Sequence, residues 1–278
     1  MKTRRILLAL LLIALCLLVI KERFDPLLAL YLDDLLHPKP VPLTVSLTED
    51  LSLRFYVDTR PHIGKIASLQ KGLILVYRGK ELAEESFGFG SPIVQVEGVG
   101  YLSRHASVSI AWQEGAVVLT KSFVMDVADR PTRFWRIKYE EVEPLGTVVY
   151  TYTVTGQEIR MDVDLSGLQV AWERAYLMNE QGAINFTIYQ DEDGRKWHGD
   201  EVGIWRLTED AYGCWLHRCE ALRFCVQTEP GQPKYVGRER YNQYRWTGIF
   251  YLSWSGIDIE VKPPIDHYQY VVRVEELP

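Results

Sequence analysis

The chain has 278 residues, of which 47% are hydrophobic, and its formal net charge is −6. An acidic chain has no electrostatic basis for binding the phosphate backbone, so we exclude nucleic acid as a partner. The 8 Trp, 16 Tyr and 9 Phe can fill a large core, so the fold does not depend on disulfides.

The amino-terminal segment predicts a single-pass transmembrane signal-anchor over residues 1–24. A basic head precedes residues 6–20, which contain no charged or amide side chain. This order is typical of a secretory signal, but the small residues that a cleavage site requires do not follow the apolar run. We therefore expect a retained anchor in contact with membrane lipid, with a cleaved signal as the first alternative and a reversed anchor that leaves the domain in the cytoplasm as the second. The basic head favours a cytoplasmic amino terminus, which makes the rest of the chain extracytoplasmic, in a periplasm or at the cell exterior.

The apolar run is short for a membrane span. Fifteen helical residues extend about 22 Å, whereas the hydrocarbon core of a bilayer is ~30 Å thick. A short span is better explained if neighbouring membrane helices hold it. We therefore expect other subunits of a membrane complex as partners.

Residues 25–42 predict a short amphipathic helix and a proline-rich spacer. Asp25 and Pro26 are typical of a helix start, and the helix ends before Pro38. Leucines cover a broad face opposite Asp33 and Asp34. This helix either packs on the following domain or lies on the bilayer surface or against a membrane helix of a partner.

Residues 43–278 predict one all-β domain, a large antiparallel β-sandwich, with two smaller β-domains as the alternative. Apolar and polar residues alternate over 107–112, 158–165 and 257–262. This period of two is typical of strands with one buried face and one solvated face. Turn signals between the strands include Asp129–Pro131, Asp193–Gly194 and Ser255–Gly256, and their spacing leaves no room for crossover helices.

Three cysteines lie close together in this domain. If residues 214–225 form a hairpin, Cys214 and Cys225 face each other and can form a disulfide in an oxidising compartment. The alternative is that they stay unbonded. A metal site that adds His217 and Cys219 matches no usual zinc spacing, so we predict neither a metal nor a cofactor.

The stretch from Tyr235 to Trp254 is the densest in aromatic and polar residues. Flat aromatic faces beside Arg, Glu and Asn suit sugar rings, and Trp, Tyr and Arg are also typical of protein interfaces. An ordinary strand pair is the third interpretation. The residues that we select as candidates for binding a glycan or a protein are Arg238, Arg240, Tyr241, Tyr244 and Trp246.

No motif in the chain predicts a catalytic residue. Asp200 and Glu201 are adjacent, and on a strand they would point to opposite faces, so they cannot form the facing carboxyl pair of glycoside hydrolysis. A partner such as Glu173 or Glu239 would be required. The segment Asp191–Gly194 lacks the ligand spacing of a calcium loop, and we expect a hairpin turn with Gly194 at positive φ.

Residues 120–124 and 129–137 resemble a strand–turn–strand unit of large sugar-processing β-sandwiches. The resemblance includes no catalytic residue, so it implies a fold and no activity. Two functional hypotheses follow from the whole sequence. The first is a non-enzymatic accessory or assembly subunit of a membrane protein complex. The alternative is a membrane-tethered domain that binds or processes carbohydrate.

Overall fold

The computed structural model describes residues 12–13, 40–59, 69–84, 86–131, 137–241 and 252–277. The fold below belongs to one compact unit, Pro40–Tyr241 and Leu252–Pro278. The predicted anchor and amphipathic helix lie outside the described residues, apart from Leu12 and Ile13. No helix within the described residues is long and apolar enough to cross a membrane.

Strands dominate the described residues. In chain order they are β1 (Pro42–Ser46), β2 (Leu51–Tyr56), β3 (Ile74–Tyr77), β4 (Lys80–Glu81), β5 (Phe89–Val96), β6 (Val99–Gln113), β7 (Ala116–Pro131), β8 (Ile137–Glu141), β9 (Thr147–Thr155), β10 (Glu158–Asp164), β11 (Arg174–Gln181), β12 (Phe186–Gln190), β13 (Lys196–His198), β14 (Arg206–Thr208), β15 (Tyr212–His217), β16 (Leu222–Gln227), β17 (Lys234–Tyr241), β18 (Leu252–Val261) and β19 (His267–Glu276). One short helix, α1 (Gly199–Val202), lies between β13 and β14.

The strands form two sheets. The first sheet has four strands in the order β1-β2-β3-β4. The second has fifteen, in the order β13-β12-β15-β16-β19-β10-β9-β7-β6-β5-β11-β18-β17-β14, with β8 paired to β7. Neighbours along both sheets pair antiparallel, as in β10 with β19 and β11 with β18. The prediction of an all-β antiparallel fold is therefore confirmed, and the two sheets fit a β-sandwich.

The large sheet curves so that distant strands face each other across the main core. Trp215 on β15 donates its indole N–H to the Gly256 carbonyl on β18 at 2.9 Å. Tyr270 on β19 donates its hydroxyl to Oδ1 of Asn179 on β11 at 3.1 Å. Buried polar groups need such partners, and these bonds fix how the two parts of the sheet pack. Phe89, Phe186 and Phe224 fill the space between them, and the Phe224 ring centroid lies 5.1 Å from that of Phe89 and 4.9 Å from that of Phe186.

A buried lysine joins the first sheet to the large sheet. Lys121 on β7 is fully buried, and its Nζ donates to the carbonyls of Tyr56 at 3.0 Å and Lys71 at 2.9 Å. The same Nζ lies 4.9 Å and 5.1 Å from the ring centroids of Phe55 and Phe123, within cation–π range. Burial lowers the pKa of Lys121 to about 7.

The three alternating segments form strands, but the prediction of one solvated face is only partly correct. On β10, buried and less buried residues alternate as expected. At the outer end of β6, Ile110 and Trp112 are exposed, because neither face of this hairpin tip is covered. On β18 the reverse occurs, since Asp258 and Glu260 are buried along with the apolar residues.

Two predicted turns are wrong and one is confirmed. Ser255–Gly256 lies inside β18, and Asp129–Pro131 forms the end of β7. The segment Asp191–Gly194 joins β12 to β13, and Gly194 has φ 81°. The Asp191 carboxylate accepts the Arg195 N–H at 2.7 Å, which closes this hairpin turn.

A disulfide joins Cys214 on β15 to Cys225 on β16. The two residues are direct cross-strand partners, with 4.0 Å between their Cα atoms. Cys219 is exposed and takes no part in this bond. Within the described part of the chain, no group of three His, Cys, Asp or Glu residues could hold a metal ion.

Candidate functional site

A pocket of about 470 Å³ opens on the face of the large sheet that lies away from the main core. This volume is in the range of small-molecule sites. The lining residues come from neighbouring strands β8, β7, β6, β5, β11, β18 and β17 and from the loops before β5 and β14. They are Phe87, Ile93, Leu102, Asp129, Tyr139, Tyr176, Met178, Glu180, Trp205, Tyr235, Glu239 and Trp254.

Strand register explains why these residues share one face. Tyr176 on β11 lies opposite Ile93 on β5, and Glu239 on β17 lies opposite Trp254 on β18. Cross-strand partners point to the same side of a sheet, and residues two apart on a strand do the same. On β11, Tyr176, Met178 and Glu180 therefore face the pocket, while Ala175 and Leu177 belong to the main core. A smaller apolar cluster that contains Phe87, Leu102, Tyr139 and Met178 forms the base of the pocket.

Four aromatic rings form one wall of the pocket. The Trp205 ring centroid lies 5.2 Å from that of Tyr235, 5.4 Å from that of Trp254 and 6.3 Å from that of Tyr176. The rings meet edge-to-face or tilted, which is the favoured geometry of aromatic pairs. Trp205 is 51% exposed, so part of its ring is open to a ligand. We call Tyr176, Trp205, Tyr235 and Trp254 the aromatic wall.

Two glycines that face each other make room for this arrangement. Gly237 on β17 pairs with Gly256 on β18. A Cβ at Gly237 would lie 2.0 Å from the Ile204 carbonyl oxygen and 2.6 Å from the Trp254 ring. A Cβ at Gly256 would lie 2.8 Å from Cγ of Glu180. Glycine is therefore required at both positions, so that the segment ending in Trp205 can approach β17 and Glu180 can lie over β18.

Three carboxyl groups line the pocket. Glu239 accepts the indole N–H of Trp254 at 3.1 Å, and Glu180 accepts the Phe87 backbone N–H at 3.1 Å. Burial raises the pKa of Asp129. Burial also raises the pKa of Glu180 well above its ordinary value, with the nearby Asp258 charge as the next cause. Among the lining residues, none is Lys, Arg or His.

Asp258 lies on the same strand face and is fully buried. Its Oδ1 accepts the Asn179 backbone N–H at 3.0 Å, while its Oδ2 has no hydrogen-bond partner. Burial raises the pKa of Asp258 to about 7. Glu180, which lines the pocket, and Asp258 on the neighbouring strand are therefore two buried carboxyl groups on one face of the sheet, and we call them the acid pair.

The sequence candidates in the Tyr235–Trp254 stretch fall in several places. Arg238 lies on β17 next to the pocket residue Glu239, but it donates to Oδ1 of Asp200 at 3.0 Å and to the Ala183 carbonyl at 3.2 Å, outside the pocket lining. The backbone of Arg240 and Tyr241 continues β17, paired with Ser253 and Leu252. Tyr244 and Trp246 lie outside the described residues. The binding role of these five residues stays a prediction.

Asp200 and Glu201, the adjacent acids considered in the sequence analysis, belong to α1 and not to a strand. Asp200 is exposed and contacts Arg238. Glu201 accepts the His198 backbone N–H at 2.9 Å, which caps the helix. Both carboxylates therefore have structural partners. Of the two acids proposed as distant partners, Glu239 lies in the pocket and Glu173 is not among its lining residues.

Comparisons with known proteins give a fold and no family. No protein-family model matches the chain, and no curated protein matches it. Heparan sulfate lyase HepC from Pedobacter heparinus is similar in structure, with a TM-score of 0.50 and 6% identity over 85% of this chain and 35% of that chain. An α-N-acetylgalactosaminidase from Bifidobacterium bifidum gives a TM-score of 0.48 and 9% identity over 84% of this chain and 36% of that one.

A putative aldose 1-epimerase from Escherichia coli gives a TM-score of 0.42 and 10% identity over 85% of this chain and 99% of that chain. The chain spans about a third of the length of the lyase and of the galactosaminidase. At these identities, the similarity to the lyase shows that the two proteins share a fold and shows nothing of their chemistry.

Proposed function

We propose that the pocket binds carbohydrate. The observation that carries this proposal is the placement of the aromatic wall beside Asp129, Glu180 and Glu239 in one pocket. The C–H faces of a sugar ring pack on open aromatic faces, and carboxylate oxygens accept hydrogen bonds from its hydroxyl groups. A pocket that combines apolar walls with a few convergent polar groups is the usual form of a small-molecule site.

Similar structures support the proposal only through their fold. HepC is by name a heparan sulfate lyase, and its likeness to this chain is limited to the fold. The rival hypothesis, a subunit of a membrane complex, gains no support from the described residues or from the comparisons. We therefore place the carbohydrate hypothesis first.

The apolar segment 6–20 motivates the location that we propose for this domain. We propose that it tethers the domain to a membrane on the extracytoplasmic side, where glycans are available. Membrane fractionation of the full chain, with alkaline carbonate washing, tests the tether. Release of the full-length chain by the wash would overturn the tether and leave the binding proposal untouched.

A glycan array tests the binding itself, with Trp205→Ala as the decisive variant. Removal of the open ring should weaken binding about tenfold or more, because the stacking face is lost. Trp112→Ala is the matched control, since Trp112 is 67% exposed and does not line the pocket. We expect this control to bind like the wild type. An array with no signal for the wild-type protein would end the proposal.

A further inference from the structure

The charge of the pocket restricts the class of carbohydrate that it can accept. Apart from tyrosine hydroxyls, the ionisable groups that line the pocket are the carboxyl groups of Asp129, Glu180 and Glu239. Asp258 is buried beside them. Arg174 and Lys71 do not line the pocket. Arg174 is paired with Glu260 at 3.4 Å, and the Lys71 charge acts on Glu180 without overcoming the effect of its burial. An anionic sugar would bring a further negative charge to a site where burial already disfavours the ionised form of the carboxyl groups, which is unfavourable.

The aromatic wall adds a second attraction for a cation. Its four rings pack at right angles or tilted to one another, and all four residues line the pocket, so a ligand meets aromatic rings in more than one orientation. A cation over the face of Trp or Tyr is attracted by the ring quadrupole, and aromatic cages with nearby carboxylates are a known form of ammonium site. None of the residues that line the pocket is a Lys or an Arg that could fill this position.

The acid pair provides an independent observation. Glu180 and Asp258 are both buried, and Oδ2 of Asp258 has no hydrogen-bond partner. Two adjacent buried carboxyl groups cannot both stay ionised without a positive charge. Protonation of the pair, which the raised pKa of both groups favours, relieves this repulsion. A bound cation would take the place of the proton.

We infer that the carbohydrate bound in this pocket carries a free ammonium group, held between Glu180, Glu239 and the aromatic wall. The preferred ligand is thus an amino sugar with an unacetylated amine. The inference that the ligand is a sugar rests on the proposed function. The inference that the ligand has an ammonium group rests on the charges and aromatic rings of the pocket.

Isothermal titration with four probes separates these two parts. The probes are a chitosan tetramer with free amines, the matching chitin tetramer, cellotetraose and choline, at about pH 6 so that the sugar amines are protonated. We expect the chitosan tetramer to bind about tenfold or more tighter than both other sugars. Chitin or cellotetraose binding equally well would overturn the ammonium inference and keep the carbohydrate proposal. Binding of choline alone would keep the ammonium site and overturn the carbohydrate proposal, and no binding by any probe would overturn both.

A pair of variants tests whether the negative charge of Glu239 is responsible for binding the ammonium group. Glu239→Gln keeps an oxygen that can accept the Trp254 indole N–H and removes the negative charge. It should weaken chitosan binding about tenfold and leave any cellotetraose binding unchanged. Glu114→Gln removes one charge from the exposed β6–β7 turn and serves as the control. An equal loss for chitosan and cellotetraose with Glu239→Gln would mean that Glu239 only shapes the pocket, which contradicts the inference.

Discussion

Lys121 and the acid pair are two buried ionisable centres that respond to burial in the same way and differ in every other respect. Burial disfavours the charged form of each, so it lowers the pKa of Lys121 and raises that of Glu180 and Asp258. Lys121 is enclosed between the two sheets, while Glu180 lines an open pocket. A perturbed pKa therefore marks burial, and access to a ligand has to be shown separately.

The two centres also differ in their hydrogen bonds. The Lys121 Nζ has two carbonyl acceptors and two aromatic rings as partners. Oδ2 of Asp258 has no hydrogen-bond partner. A satisfied buried group stabilises the fold, whereas an unsatisfied one needs an explanation such as a function. We therefore assign a structural role to Lys121 and a ligand-binding role to the site that contains the acid pair.

The largest expected effect comes from Lys121→Ala. It leaves a cavity between the sheets and two carbonyls without a donor, so we expect a loss of about 3–5 kcal/mol in unfolding free energy. Lys121→Met is the matched control, because it refills the cavity and should lose less. Urea denaturation measures both. A loss under about 1 kcal/mol for Lys121→Ala would show that Lys121 does not hold the sheets together.

Gly256→Ala tests the packing around the acid pair and should lower the unfolding free energy less than Lys121→Ala does. The new Cβ would meet the Glu180 side chain at 2.8 Å and the Asn179 carbonyl at 3.0 Å, so backbone has to move. We expect a loss of about 1–3 kcal/mol in unfolding free energy together with weaker ligand binding. Gly100→Ala is the control for stability alone, since its new Cβ would lie no closer than 3.4 Å to a neighbouring atom. If Gly256→Ala is as stable as this control and binds like the wild type, the close packing at Gly256 has no role in the pocket.

The strand β18 shows how far the sequence predicts the fold. Alternation correctly predicts that Ile257, Ile259 and Val261 face the main core. The same pattern predicts that Asp258 and Glu260 face solvent, and this is wrong because the second face of the sheet is also covered. An acidic residue in an alternating strand has no local signal that separates a solvated face from the edge of a pocket. The prediction of a turn at Ser255–Gly256 is wrong for a related reason. Glycine is needed at position 256 because the Glu180 side chain leaves no room for a Cβ, and not because the chain turns there.

The site is only partly predictable for a topological reason. The aromatic stretch identified from the sequence contains Tyr235, Glu239 and Trp254, which all line the pocket. Tyr176 and Glu180 lie about sixty residues earlier, on β11, and only the strand order β5-β11-β18-β17 brings them beside that stretch. Local composition therefore indicated one side of the site, and the long-range strand pairing that completes it is not encoded in any short segment.

The most direct comparison of the two centres is the pH profile of stability. Between about pH 4 and 7 the folded state keeps protons on Glu180 and Asp258 that the unfolded state releases, because the pKa of both groups is raised by folding. Unfolding free energy should therefore fall as pH rises through this range, by up to about 1.4 kcal/mol per pH unit for each group.

Above pH 7 the contribution of Lys121 has the opposite sign. Its pKa is lowered to about 7 from 10.5, so between these values the unfolded state binds a proton that the folded state does not, and stability rises with pH. Asp258→Asn should flatten the acidic limb alone, and Lys121→Met should flatten the alkaline limb alone. Urea denaturation from pH 4 to 9 measures both limbs for each variant. If Lys121→Met changed the acidic limb as well, the two centres would be coupled, and their assignment to separate roles would fail.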